Sequence, residues 1–262
     1  MRLEVTSMRW AGVLFLGLLI AAPASAQRAS GELTRAIEQL QSADEAEVRA
    51  AIETLGVLGN ARAASPIAER IRRGLPPELL EAAIDALTVL GRPESGPVLF
   101  ELTTHRRPAI RLRAVQAIAA TRPRGADRAL AQALADSDSS VRAAAATALG
   151  EIGATGALDA LFHALDRRVP EAAVAIGRLA RPNEVERFLG YLGQLPFTLV
   201  MPALTEMLQR NALAERSRLA IVHRLTELAT PEVRAFLEQL VPSLPDSAVR
   251  RAAEDAIPRI GQ

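Results

Sequence analysis

DSDSSVRAAAATALGEIGATGALDALFHALD, running from Asp136 to Asp166, decides the fold. Val141, Ala145, Ala148, Leu149 and Ile152 recur at the spacing that puts side chains on one face of an α-helix. Ala157, Ala160, Leu161, Ala164 and Leu165 mark a second such face, and Gly153 and Gly156 stand between the two. The stretch reads as helix, glycine-containing turn, helix. One pair of this kind cannot enclose a core, so it must bury its apolar faces against neighbours.

The neighbours are in the sequence. A step of 31 residues back turns Val141-Arg142 into Ile110-Arg111, Ala145 into Ala114, Leu149 into Ile118 and Leu161 into Leu130. A second step gives Leu79, Ala83, Leu87, Leu90-Gly91 and Leu99, and the first copy is EVRAAIETLGVLG, Glu47 to Gly59. After Leu165 the copies drift. Ile176-Gly177 and Leu179 carry the pattern on a shortened helix, Ile221, Leu225 and Leu228 carry a later one, and Val249 to Gly261 the last. Residues 195–213 (LPFTLVMPALTEMLQRNAL) fit no copy, being either a drifted repeat or a kink between two arrays. Gly31 to Gln41 reads as a capping helix with Ser30 as its N-cap. The expected order is a capping helix over about 31–41, repeats over about 43–194, an irregular helix over 195–213 and repeats over 214–262.

Composition agrees with helices. Hydrophobic residues make up 49% and aromatics 3%, so the apolar content is mostly Ala, Leu, Val and Ile. Ala, Leu and Arg are strong helix formers, while strands have few β-branched or aromatic runs to build on. Every basic residue outside the histidines is Arg. The absence of Cys excludes disulfides, thiol nucleophiles and Cys-ligated metals.

The motif V-R-x-x-A-x-x-A-L-G-x-I-G followed by A-L-x-x-L resembles the short HEAT-like repeat first associated with phycobilisome lyases. The likeness covers about residues 43–262 and is sharpest over 136–166. The ankyrin T-P-L-H signature is absent and the tetratricopeptide aromatic slots are unfilled. The resemblance implies an all-α, right-handed α-solenoid of stacked antiparallel helix pairs. It also implies that the second helices line the concave side. Equivalent slots there form two rows, Glu69, Glu101, Gln132 and His163 beside Ser65, Pro97, Arg128, Asp159 and Glu186. Glu69, Glu101, Arg128, Gln132, Asp159 and His163 are the expected partner-binding ridge.

Residues 1–26 read as a secretory signal peptide. Arg2 and Arg9 supply the positive start, Ala11 to Ala22 the apolar run, Pro23 its end, and Ala24-Ser25-Ala26 a small-x-small cleavage site. The run is shorter than a membrane-spanning helix needs. The expectation is a cut after Ala26, a mature domain over 27–262, a periplasmic or secreted location and no transmembrane segment after removal. The formal charge of +1 comes close to zero without the signal, which disfavours nucleic acid as a partner.

The search for chemistry ends without a catalytic constellation, a cofactor or a metal site. His105, His163 and His223 lie in different repeats without ligand spacing, with His163 expected on an exposed face and His223 partly packed. Gly150, Gly153 and Gly156 end one helix and enter the next, whereas a phosphate cradle needs glycines between a strand and a helix. Arg49, Arg111, Arg142 and Arg250 follow the apolar anchor in four copies, where HEAT families place a ladder of ion pairs, with Asp136 or Asp138 as acidic partner. The third repeat is locally basic: Arg106, Arg107, Arg111, Arg113, Arg122, Arg124 and Arg128 accompany only Asp127 within that stretch. This is either a patch for an anionic partner or a solvated surface balanced by Glu94, Glu101, Asp136 and Asp138. The expected function is an exported, monomeric, non-enzymatic scaffold for a protein partner. The alternatives are a lyase-type accessory subunit and a binder of an anionic envelope component.

Overall fold

The computed structural model describes residues 22–260, so most of the signal-like segment lies outside the described residues. Fifteen α-helices and no strand are present among them. In chain order these are α1 (Ala22–Gln39), α2 (Glu45–Leu58), α3 (Ala64–Arg73), α4 (Pro77–Leu90), α5 (Gly96–Leu102), α6 (Pro108–Thr121), α7 (Ala126–Ala133) and α8 (Ser139–Glu151). They continue with α9 (Leu158–Asp166), α10 (Pro170–Leu179), α11 (Pro182–Leu189), α12 (Phe197–Gln209), α13 (Glu215–Leu228), α14 (Pro231–Leu240) and α15 (Ala248–Ala256).

Local chemistry sets the helix ends. Pro77, Pro108, Pro170, Pro182 and Pro231 each open a helix, where the backbone N–H that proline lacks would have no partner. Asp44 and Asp138 cap α2 and α8 by accepting from the backbone N–H of Ala46 and Ser140, both at 2.8 Å. The turn after the first helix of a pair enters the left-handed region at Gly91 (φ 61°) and Gly153 (φ 74°), and Arg122 holds the equivalent slot at φ 47°.

The helices alternate between two layers. Even-numbered helices α2 to α12 stack directly on one another in a first layer, and odd-numbered helices sit behind them. Small residues make the first-layer contact close. A Cβ on Gly56 would touch the Ala86 side chain at 3.5 Å, and one on Gly150 would stand 3.2 Å from the Ala175 backbone. A Cβ on Gly177 would fall 2.7 Å from the Ala203 carbonyl oxygen. The L-G pair of the motif is therefore a packing device, with Gly at the closest approach of successive helices. The second-layer helices α3 to α11 meet each other less, so the array bends toward its first layer. Between the layers runs one continuous apolar core, including Leu55, Leu87, Leu99, Ile118, Leu130, Leu149, Leu161 and Ile176.

Three expectations are corrected. The capping helix starts at Ala22, not Gly31, and Ser30 lies inside it, its carbonyl accepting from Thr34 Oγ1 at 3.0 Å. Leu33 and Ala36 are the side chains it buries, joined by Leu40 in the turn that follows. The helix within 195–213, α12, is no supernumerary element, because it packs on α10 as the next first-layer helix and α13 falls in the second layer against α11. Consequently α13 and α15, expected as first helices of later copies, occupy the second layer. The close packing moves with them: α13 and α15 stack tightly, while α12 and α14 diverge.

Candidate binding surface

The first-layer face is built from the outward positions of α2, α4, α6, α8 and α10. Taking Leu55, Leu87, Ile118, Leu149 and Ile176 as inward reference points, the residue two positions on points outward in every copy. That row is Val57, Val89, Ala120, Glu151 and Arg178, and all five are exposed. Val57 is 88% and Val89 71% exposed, the large hydrophobics left open among the described residues. One helical turn earlier runs a second row, Glu53, Asp85, Gln116 and Thr147, exposed on the same side. A charged pair closes the far end of the face, where Arg178 Nε meets Glu206 Oε1 at 3.2 Å.

The expected ridge lies on α3, α5, α7 and α9, in the layer away from which the array bends. Several of its members are engaged along that layer. Glu101 holds Arg72 at 3.0 Å, Asp159 holds Arg187 at 2.6 Å, and Glu69 stands 3.9 Å from Arg73. Arg187 also lies 3.9 Å over the ring of Phe162, which tethers α11 to α9. Arg128, Gln132 and His163 are exposed. Two of its six residues, Glu101 and Asp159, thus brace successive second-layer helices, Glu69 pairs within its own helix, and the other three face solvent.

The basic third repeat is also divided. Arg111 is buried, and its Nε and Nη2 each donate to an Asp136 carboxylate oxygen at 2.7 Å. Its Nη1 donates to the His105 carbonyl at 2.9 Å, locking the preceding turn. The hydrogen bond from Arg111 holds the Asp136 carboxyl below its ordinary pKa, against the opposing effect of burial. Arg142 repeats the turn lock, with Nη1 donating to the carbonyls of Asp136 and Ser137 at 2.8 and 2.9 Å. Arg250 does the same toward Leu244, whereas Arg49 stands exposed. Arg113 reaches back to α4, 2.6 Å from Asp85 and 3.0 Å from Glu81, and its pKa rises mainly through the Asp85 hydrogen bond. Arg106 and Arg107 lie before α6, while Arg122 and Arg124 lie after it, at opposite ends of that helix. The two central charges of the expected patch are neutralised and the others separated by a helix length.

Among the described residues, no group of three or more His, Asp and Glu side chains is placed to hold a metal ion. His163 and His223 are both exposed, so His223 is not partly packed as expected, and it sits 3.3 Å from Glu227 of the same helix. Where the tight packing changes layer, two grooves open. One of ≈ 600 Å³ lies between α12 and α14 over Phe197, Met201 and Phe236; the other, of ≈ 640 Å³, runs between α13 and α15 and is lined by Arg216, His223, Asp255 and Arg259.

No curated protein sequence matches the chain. Among solved structures, the complex of CpcE and CpcF of phycocyanin lyase from Nostoc sp. PCC7120 is 19% identical, covering 98% of this chain and 99% of that one with a TM-score of 0.46. A homology model of the full-length AP-3 complex in an intermediate open conformation is 16% identical, covering 89% of this chain and 52% of that one with a TM-score of 0.53. A designed armadillo repeat protein is 20% identical, covering 88% of this chain and all of that one with a TM-score of 0.37. At these identities the likeness is one of fold. The family model for HEAT repeats matches residues 96–180, which hold α5 to α10 and the sharpest copies of the motif. Residues 96–180 thus match HEAT repeats, and the described residues as a whole form an α-solenoid of which that stretch is the centre.

Proposed function

We propose that this chain is an exported, non-enzymatic scaffold of the bacterial envelope whose protein partner docks on the first-layer face of α2 to α10. The observation that carries the docking site is the pair Val57 and Val89. An exposed valine on a helix gains nothing from burial and is a weaker helix former than alanine. Two of them in the same slot of adjacent helices make an apolar strip on the side toward which the array bends. Extended repeat surfaces of this kind are suited to binding rather than to enclosing a reaction.

Export rests on Arg2, Arg9, the apolar run and Ala24-Ser25-Ala26. A cut after Ala26 would trim the start of α1 and leave Leu33, Ala36 and Leu40 in place, so the cap keeps its packing. Fractionation of intact cells, followed by crosslinking and mass spectrometry, tests both parts. The expected result is a protein beginning at Gln27 in the envelope fraction, linked repeatedly to one partner through residues of α2 to α8. A cytosolic protein that keeps residues 1–26, or an envelope protein linked to nothing under several growth conditions, contradicts the reading.

A further inference from the structure

We infer that the N-terminus of α13 is a carboxylate-binding site, with the Arg218 guanidinium and the first backbone N–H groups of the helix as its donors. The site lies outside the first-layer face of α2 to α10 and stands independently of the partner proposed for that face.

A comparison with α8 shows what the start of α13 lacks. In α8, Asp138 accepts from the backbone N–H of Ser140 at 2.8 Å and of Val141 at 3.3 Å, and the nearby Asp136 accepts from Arg111. Both helices carry an arginine in their fourth position, Arg142 in α8 and Arg218 in α13. Counted back from that arginine, Ala212 stands in the slot of Asp136 and Ala214 in the slot of Asp138. Ala214 therefore leaves α13 without a side-chain cap. The N–H groups of Ser217 and Arg218 return to the Ala214 carbonyl at 2.9 and 3.2 Å, while those of Glu215 and Arg216 meet no acceptor among the described residues. Arg216 is the counterpart of Ser140, so the N–H that Asp138 fills in α8 is open in α13.

The arginine itself is the second, independent sign. Arg218 is only 8% exposed. Its Nη1 donates to Asn211 Oδ1 at 3.3 Å, which sets the guanidinium beside the residues that lead into the helix. Its Nε is buried without an acceptor among the described residues. Nε is the atom through which Arg111 holds Asp136, at 2.7 Å. A buried donor left unpaired is costly, and a buried cation without an anion more so, which favours any oxyanion that fills the slot.

The local charge agrees. Residues 210–218 hold Arg210, Arg216 and Arg218 with Glu215 alone, and the helix N-terminus adds its own positive end. Arg210 donates to the backbone carbonyls of Arg178 and Ala180. The turn before α15, the helix stacked on α13, offers one carboxylate, Asp246, which is exposed and lies 3.3 Å from Arg251. Asn211, Ala212 and Ala214 are all exposed, so the slot is approached from solvent. A carboxylate brings two oxygens, one for the Arg218 Nε and one for the Arg216 N–H. Its source is either a free small acid or an acidic side chain of another protein.

The test is isothermal titration calorimetry on the purified full chain with three probes: succinate, the peptide Gly-Ser-Asp-Ser-Gly and its Asn counterpart. At least one of the two acidic probes is expected to bind at least about tenfold more tightly than the Asn peptide. Tighter binding of succinate identifies a free acid as the source, and tighter binding of the Asp peptide an acidic segment of a protein. Ala214→Asp supplies the carboxylate from within the chain. It is expected to raise the melting temperature by about 2–4 °C and to weaken the acidic probe at least about tenfold, because the slot is already filled. Arg218→Lys keeps the charge but removes the Nε donor and is expected to weaken the probe as well. Circular dichroism melting of Arg218→Lys separates lost binding from lost fold, and the stabilised Ala214→Asp keeps the test independent of folding. Acidic probes that bind no better than the Asn peptide, an Ala214→Asp chain that binds them unchanged, or a folded Arg218→Lys chain that does so would each overturn the inference. None of these results bears on crosslinks to the first-layer face, so the scaffold reading stands or falls separately.

Discussion

Asp136 shows how one residue serves two repeats. Its carboxylate receives Arg111 from the repeat before, its Oδ1 accepts the backbone N–H of Asp138 at 2.8 Å, and its carbonyl accepts from Arg142 of the repeat that follows. Only 8% of its side chain is exposed, and 11% of that of Arg111, so the pair is largely shielded from solvent. Removing one partner leaves the other charge buried, a loss of about 3 kcal/mol by analogy with broken buried pairs. Because the folded carboxyl has a lowered pKa, its contribution is present above the unfolded value of about 3.9 and disappears as pH falls through the folded value. Urea denaturation of the parent chain and Asp136→Asn should therefore differ most near neutral pH and converge as the pH drops below about 4. A gap that stays constant down to about pH 3 would mean that the ion pair is not what Asp136 contributes.

At the scale of elements, the close approach of first-layer helices is the feature that bends the array. Gly177 is its tightest point, with the Ala203 carbonyl oxygen, the Glu206 Cβ and the Ala203 Cα all under 3.0 Å from any added Cβ. Backbone, not a flexible side-chain end, would have to move. Gly177→Ala should thus lose about 1–2 kcal/mol by overpacking, in spite of the better helix propensity of alanine. Gly31→Ala, in the exposed α1 with nothing within 4 Å, should instead gain about 0.5 kcal/mol. Thermal melts of the two variants moving in the same direction would refute the packing role assigned to Gly177.

The sequence made these helices legible from Val48 to Leu165 because the inward slots repeat at a fixed interval with little drift. It was less informative where periodicity alone had to carry the assignment. Ser30 has the residue type of a cap, yet nothing in the local sequence stops the helix there, and α1 runs back to Ala22. In α13, Ile221 and Leu225 copy the inward spacing of a first helix, but layer is fixed by how many helices precede it. Counting α12 as an odd insertion hid that parity. The ridge on Glu101, Asp159 and His163 followed from a family resemblance. The signal that pointed to the other face was present in Gly56, Ala86, Gly150, Ala175, Gly177 and Ala203, small residues at the contact of successive first helices. Those slots show which layer is tight, and exposed Val57 and Val89 then stand on that side.

Taken as a whole, the molecule is a two-layer array in which the tight layer changes at the α12–α13 step. The first-layer face of α2 to α10 and the second-layer groove of α13 and α15 consequently look in different directions. The proposed partner docks on the first of these. A photoreactive amino acid placed at Val89, and separately at His163 on the opposite layer, tests that assignment in intact cells. Both positions are exposed, so neither replacement should disturb the fold. One discrete crosslinked partner is expected from position 89 and none from position 163; a partner captured from position 163 alone would overturn the docking assignment.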